Sequence, residues 1–396
     1  MKRGKIMANK SYPYIFIHGM LGFGQDEKVN DFLPYWGMLA GDICQMIRDN
    51  GGEAYAPTIS SLGSAWDRAC EIYAQLVGGT VDYGEAHSKK YGHARYGRTY
   101  DKPLVPNWSA ENKIHILGHS FGGATVRMVS HLLAHGAPEE VAATGADTSP
   151  FFTGGKGDWL QSVTTVAGPH DGTTVIYAIG PLLPILKCIT FFGFAGVMDN
   201  TPLGKFYDMS LDQWGITSDP RKGYKVTNML KVPNMIKAMT TKDNLYWDLC
   251  LAGARELNER FEINEKAYNF SISTSNSMLT PKGNHRMKAS SFVPFWLTGN
   301  LVGSCRHDKS IDEDLDPSWL ESDGCSNTVS ALHPSDEPFE YFYDNDCKAK
   351  RGIWNVMPVY QGDHMDVVGG SLRAFLTPYY VMNYYKNYIN ILENLD

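Results

Sequence analysis

Gly118-His119-Ser120-Phe121-Gly122 follows the apolar run Ile114-His115-Ile116-Leu117 and leads into Gly123-Ala124-Thr125-Val126-Arg127-Met128. The spacing predicts a strand, a sharp turn and a helix, which is the setting that a G-x-S-x-G turn needs if it is to hold out a nucleophilic serine. Glycine on either side removes the Cβ atoms that would collide in so tight a turn. Phe121 N–H then falls at the start of the helix, where unpaired backbone donors and the helix dipole favour negative charge. Strands that alternate with helices elsewhere in the chain, the helices expected near 36–49, over 248–262 and, closing the chain, over 372–395, predict an α/β fold with a mainly parallel central sheet, covered by helices on both faces. In such a sheet, ligands bind beyond the carboxyl ends of the strands, where this turn lies.

Two further features suit a serine nucleophile. The first is Ile15-Phe16-Ile17-His18-Gly19-Met20, a strand running into a His-Gly turn. It predicts that Met20 N–H joins Phe121 N–H in an oxyanion hole, commonly the largest single contribution to acyl transfer. The second is chain order. An acid and then a histidine follow the serine, in Trp319-Leu320-Glu321-Ser322-Asp323-Gly324 and Gln361-Gly362-Asp363-His364-Met365. In this order Ser120 attacks an ester carbonyl, His364 shuttles its proton, and Asp323 fixes the tautomer of the imidazole. Spacing alone does not separate Asp323 from Asp312, Asp314, Asp316 or Glu321.

The residues resemble the thermoalkalophilic, zinc-containing bacterial lipases related to the staphylococcal ones, within the α/β-hydrolase superfamily. The resemblance runs from about Tyr12 to the C-terminus. Its densest block begins at Trp66-Asp67-Arg68-Ala69-Cys70-Glu71 and extends through Gly78-Gly79-Thr80-Val81-Asp82-Tyr83-Gly84 to Gly92-His93-Ala94-Arg95. Pro169-His170-Asp171-Gly172-Thr173-Thr174 and Leu211-Asp212-Gln213-Trp214-Gly215 add to it. The resemblance implies a single α/β-hydrolase domain over 1–396, with a zinc-binding insertion at 62–100 and a helical lid within 173–245. It assigns the triad to Ser120, Asp323 and His364. It also implies a structural zinc held by Asp67, His87, His93 and Asp248, since two imidazoles and two carboxylates close a tetrahedral shell. His87 and His93 are six residues apart, so they meet through a loop and not on one helix face. Trp66 and Trp247, adjacent to two of these ligands, are expected to wall the site.

The chain departs from the family near the catalytic histidine. Asp366 matches a calcium ligand, but Gly369-Gly370-Ser371-Leu372-Arg373 shortens the following loop and leaves the calcium shell one carboxylate short. Phe121 stands where the family usually has Gln or Met, a change that leaves the backbone donor intact.

Composition agrees with a globular enzyme. Of 396 residues, 43% are hydrophobic and 20% charged, and the net charge of −7 argues against nucleic acid as a partner. Seven scattered cysteines without C-x-x-C pairs suggest free thiols, with Cys305 and Cys325 a conceivable bridge across the acid loop. The basic start Met1-Lys2-Arg3-Gly4-Lys5-Ile6 lacks the apolar core of a secretory signal, whereas the resemblance implies an exported protein, with a cytoplasmic relative as the alternative. The greasy stretch from Val175 to Phe194 has the length of a membrane span. Its two prolines, its glycines and Lys187 argue against that reading and for a mobile apolar cover. Lys231-Val232-Pro233-Asn234-Met235-Ile236-Lys237-Ala238-Met239 is expected to form the cover's second part.

The function expected is that of a triacylglycerol lipase working at a lipid–water interface. A short-chain or polyester-degrading carboxylesterase is the alternative. A metallohydrolase centred on the Asp/His cluster and a non-catalytic binder of apolar ligands are more distant readings. Oligomeric state is left open.

Overall fold

The computed structural model describes residues 11–343 and 348–396; the basic N-terminal hexapeptide and Cys347 lie outside them. Seven parallel strands form the central sheet. In chain order they are β1 (Tyr14–Ile17), β2 (Ala54–Tyr55), β3 (Ile114–His119), β4 (Leu160–Val166), β5 (Tyr268–Ile272), β6 (Phe339–Tyr341) and β7 (Trp354–Val356). Their spatial order is β6-β7-β5-β4-β3-β1-β2, and every neighbouring pair is parallel. β3 and β4 are buried along their whole length, as strands covered on both faces must be.

The two-residue period of a strand splits the core into two layers. In β1, Ile15 and Ile17 face a cluster built around α2 (Ala65–Val77) and α4 (Gly122–Ala134), including Trp66, Ile72, Val129 and Leu132. Tyr14 and Phe16 face the opposite cluster, with Ile43 and Ile47 of α1 (Ile43–Asp49) and Val381, Tyr385 and Leu392 of the closing helix. α3 (Glu85–Tyr91) lies in the insertion, and the antiparallel strands Gly79–Asp82 and Tyr96–Tyr100 bracket it. Of residues 173–245, the principal helical segments are α5 (Leu183–Cys188), its continuation in wide π-helical turns over Ile189–Val197, and α6 (Val232–Thr240). No helix among the described residues is long and apolar enough to cross a membrane.

Element boundaries moved where backbone chemistry intervened. A helix expected over 36–49 starts only at Ile43, because Gly37 and Gly41 adopt positive φ and Asp42 then caps the helix by accepting from Gln45 N–H. The helix expected over 248–262 is two pieces, Leu245–Asp248 and α7 (Leu251–Arg260), with the Cys250 thiol accepting from Gly253 N–H at the second start. The closing helix expected over 372–395 is broken into Leu372–Leu376 and α8 (Pro378–Glu393). Proline cannot donate within a continuous helix but suits the first turn of a new one. Cys305 and Cys325 are both free thiols, so the conceivable bridge between them is not formed.

Candidate active site

Ser120 follows the last residue of β3 with φ +57°, a left-handed conformation that a serine holds only under constraint. The constraints are visible. Ser120 N–H donates to the Val166 carbonyl at 2.8 Å, and Gly123 N–H returns to the Ser120 carbonyl at 2.8 Å. A Cβ on Gly118 would lie 2.1 Å from the Gly122 carbonyl oxygen, and one on Gly122 would lie 2.7 Å from that of Ile17. Both glycines are therefore required by close backbone approach. The turn leaves Ser120 half-buried while His119 before it and Phe121 after it are fully buried.

The three residues that chain order brought forward meet here. Ser120 Oγ lies 2.8 Å from His364 Nε2, and His364 Nδ1 lies 2.8 Å from Asp323 Oδ2. The carboxylate can only accept, so Nδ1 carries the proton and Nε2 offers its lone pair to the serine hydroxyl. His364 N–H also donates to the Asp323 carbonyl at 3.0 Å. Asp323 has no solvent exposure. Burial alone would push its carboxyl up, but the His364 imidazole outweighs this, helped by Thr274 and the Cys325 N–H, and holds it below its ordinary value. Its Oδ1 accepts from Cys325 and Ser326 N–H at 2.9 and 2.7 Å, and Oδ2 accepts the Thr274 hydroxyl at 2.5 Å. The other acids lie elsewhere. Glu321 accepts from Ser275, Asp316 from Ser318, and Asp312 and Asp314 flank His307. Thr274 carried no sequence signal, being one hydroxyl among many.

The Gly19-Met20 turn packs directly on Ser120. A Cβ on Gly19 would lie 2.7 Å from Ser120 Cβ and 3.2 Å from Oγ. Fully buried Arg68 on α2 donates to the His18 carbonyl and spreads over the Phe121 ring at 4.9 Å, joining both expected oxyanion segments to one helix. Glu27 fastens the following loop to the segment at Asp208. Its carboxylate accepts from Gly24 N–H at 2.7 Å and Asp208 N–H at 2.8 Å, and burial pushes its pKa up to about 8.

A second histidine–aspartate group joins residues of the 62–100 segment to Asp243. Asp67, His87, His93 and Asp243 bring one ligand atom each within 4.8 Å of the others. Asp243 here corrects the expectation of Asp248. Asp248 closes the short helix Leu245–Asp248, and its Oδ2 accepts from Ala65 N–H at 2.7 Å, which places a carboxylate at the positive end of α2. Asp243, five residues earlier, faces His87 and His93 at 3.2 Å from each. Asp67 Oδ1, both imidazole Nε2 atoms and both Asp243 oxygens are buried and carry no hydrogen bond. His93 Nδ1 donates to the Ala94 carbonyl at 2.8 Å, so its Nε2 lone pair is turned inward. Gln213 donates to Asp67 Oδ2 at 2.7 Å, leaving Oδ1 for the centre. Trp66 stacks on His87 with ring centroids 4.9 Å apart. Converging lone pairs without protons between them fit a cation, and this donor set fits zinc.

Near His364, Asp366 is occupied by the chain itself. Its Oδ1 accepts the Ser371 hydroxyl and its Oδ2 the Arg373 guanidinium at 3.1 Å.

Residues 9–394 match the family described as lipase-like, C-terminal domain. Lipase 2 of Staphylococcus aureus is 33% identical over 401 aligned residues; the alignment takes in all of this chain and 56% of that protein, so the chain spans about half the length of the curated relatives it matches. The crystal structure of Staphylococcus hyicus lipase superimposes with a TM-score of 0.83 at 31% identity, covering 98% of this chain and 97% of that one. EstA from Clostridium botulinum gives 0.82 at 35% identity, covering 98% and 89%.

Proposed function

The chain belongs to the family of the staphylococcal lipases, and on that premise we propose that it hydrolyses carboxylic esters, acylglycerols foremost, through an acyl-enzyme on Ser120. The observation that carries this reading is the unbroken line Ser120 Oγ, His364 Nε2, His364 Nδ1, Asp323 Oδ2, with 2.8 Å at both hydrogen bonds. Ser120 attacks the ester carbonyl as His364 Nε2 takes its proton. The imidazolium is stabilised by ionised Asp323. Met20 and Phe121 N–H groups receive the negative charge of the tetrahedral oxygen, and each such donor is worth about 10²- to 10³-fold in rate. His364 returns the proton to the departing alcohol, then activates a water to release the acid.

Asp67, His87, His93 and Asp243 would hold zinc as a closed four-ligand shell. Such an ion supplies cross-linking and charge balance, tying the insertion to the segment that precedes α7. Residues 173–245 are proposed as the lid. Leu182, Ile185, Ile189 and Val197 are exposed there, an apolar face suited to a lipid–water interface. The staphylococcal likeness supports an extracellular setting. Hydrolysis of p-nitrophenyl esters of increasing chain length by wild type and Ser120→Ala tests the proposal. Loss of activity in the variant with long-chain preference in the wild type is the result expected for a lipase, and short-chain preference indicates a carboxylesterase. Wild-type rates in the variant would overturn the serine mechanism.

A further inference from the structure

His119, the residue before the nucleophile, is fully buried and takes no part in the proton path just described. Its Nε2 lies 2.9 Å from the backbone carbonyl of His364, and its Nδ1 lies 2.8 Å from the hydroxyl of buried Tyr35. Tyr35 Oη in turn accepts from Gly19 N–H at 3.0 Å. The polarity of this chain is fixed by chemistry. A carbonyl can only accept, so His119 Nε2 carries the hydrogen. A neutral imidazole then has a bare Nδ1, which accepts the Tyr35 hydroxyl proton, and the Tyr35 oxygen is left to accept from Gly19. Burial keeps the His119 imidazole neutral by pulling its pKa down to about 3, and the neighbouring His364 adds to the effect. Every donor in the chain therefore has one acceptor, with none to spare.

The chain's two ends are the informative part. One end is the Gly19 peptide, immediately before the Met20 donor and in contact with Ser120. The other is the peptide of His364, whose ring is already held by Asp323. The middle is Tyr35, in the loop segment between the helix Lys28–Phe32 and α1, and His119, fixed at the end of β3. Three loops that reach the site from remote parts of the sequence are thus bonded to one another behind the reacting atoms.

We propose that Tyr35 and His119 are positioning residues, a hydrogen-bonded strut that holds the oxyanion loop and the His364 backbone in register with Ser120. The proposal rests on the serine-hydrolase reading above. Placement of this kind affects charge development in the transition state more than substrate binding, because an oxyanion donor matters most once the oxygen is negative. Removing the Tyr35 hydroxyl leaves buried Gly19 N–H without an acceptor and His119 Nδ1 without a donor.

The test is Tyr35→Phe in the full chain, assayed with p-nitrophenyl butyrate and with a p-nitrophenyl phosphonate that labels Ser120, using rates normalised to the titrated serine. The expected result is a fall in kcat of about tenfold to a hundredfold with KM within about twofold, and a parallel fall in the phosphonylation rate. His119→Gln keeps an N–H able to reach the His364 carbonyl and is expected to retain more kcat than His119→Phe. Should the His119 variants fail to fold, Tyr35→Phe decides alone. A Tyr35→Phe enzyme with kcat within twofold of wild type, or with only KM raised, overturns the positioning role. A wild-type protein that resists the phosphonate, or a Ser120→Ala variant with wild-type rates, removes the serine reading and this proposal with it. An inactive Ser120→Ala beside an unimpaired Tyr35→Phe removes the positioning role alone.

Discussion

Two groups of histidine and aspartate side chains in this protein use the same functional groups for opposite ends. Around His364, every lone pair and proton has a partner: Asp323 accepts four side-chain and backbone hydrogen bonds, and His364 Nε2 meets one hydroxyl. Around His87 and His93, five buried nitrogen and oxygen atoms converge without one hydrogen bond. A site whose hydrogen bonds are complete but for a reactive serine is prepared to move a proton. A site whose acceptors face one another is prepared to hold a cation, because buried lone pairs without a positive partner are costly. Residue type does not separate the two groups; what lies between the residues does.

The sharpest break of the comparison is at the serine. Ser120→Ala should lower ester hydrolysis by about 10⁴-fold or more while leaving bound metal unchanged, as read by kinetics and by metal analysis of the same sample. Asp323→Asn should come next. It preserves shape but allows the wrong His364 tautomer, and a kcat loss on the order of 10⁴-fold is expected. The metal group should behave in reverse. Chelation should lower the melting temperature, with a loss of about 3 to 4 kcal/mol for an ion held at 100 to 1,000 times its Kd. The kcat of protein that remains folded at 25 °C should stay within about twofold. A chelated protein that is folded yet inactive would move the chemistry to the metal group. Asp243→Asn should weaken metal binding by at least about tenfold, measured by competition with a chromogenic chelator. Asp248→Asn should leave stoichiometry intact and cost only about 0.5 to 1 kcal/mol at the α2 terminus.

The last effect concerns Glu27, between the Gly24 loop and the Asp208 segment, and it is read only as a difference in pH slope. Its folded pKa, raised to about 8, means that the folded state holds a proton the unfolded state has released. The stability that it contributes is present in acid and is lost as pH rises from about 4.5 through about 8, by up to about 1.4 kcal/mol per pH unit. Glu27→Gln, which cannot ionise, should show a melting temperature that falls less between pH 6 and pH 9 than that of wild type. An equal slope in the two proteins would mean that Glu27 is already charged.

Much of this was legible in the chain. The strand–turn–helix around Ser120 was readable because glycine at 118 and 122 answers a local steric demand, and the order serine, acid, histidine narrowed the partners. The choice of Asp323 over Glu321 was not local, since it depends on Thr274, a residue 49 positions away, and on the Cys325 and Ser326 peptides. The metal group shows the opposite outcome. The resemblance points to His87, His93 and Asp248, whereas the structure brings Asp243 to the two histidines. Both acids lie near the same short helix, and sequence spacing does not tell which one caps α2 and which one faces the histidines. The apolar periodicity of the closing segment runs across Pro378, but the missing N–H there ends one helix and starts a second.

The sequence by itself determined the parallel sheet and the strained turn at Ser120, and it brought forward Ser120 and His364 as a pair. These follow from short-range sterics and from a hydrophobic period that each segment carries alone. Tertiary structure alone decided which carboxylate faces His87 and His93, and it alone joined Gly19, Tyr35, His119 and His364 into one hydrogen-bonded line. Those outcomes depend on the direction of lone pairs and protons from segments up to 245 residues apart, and a direction in space is not a property of any one segment.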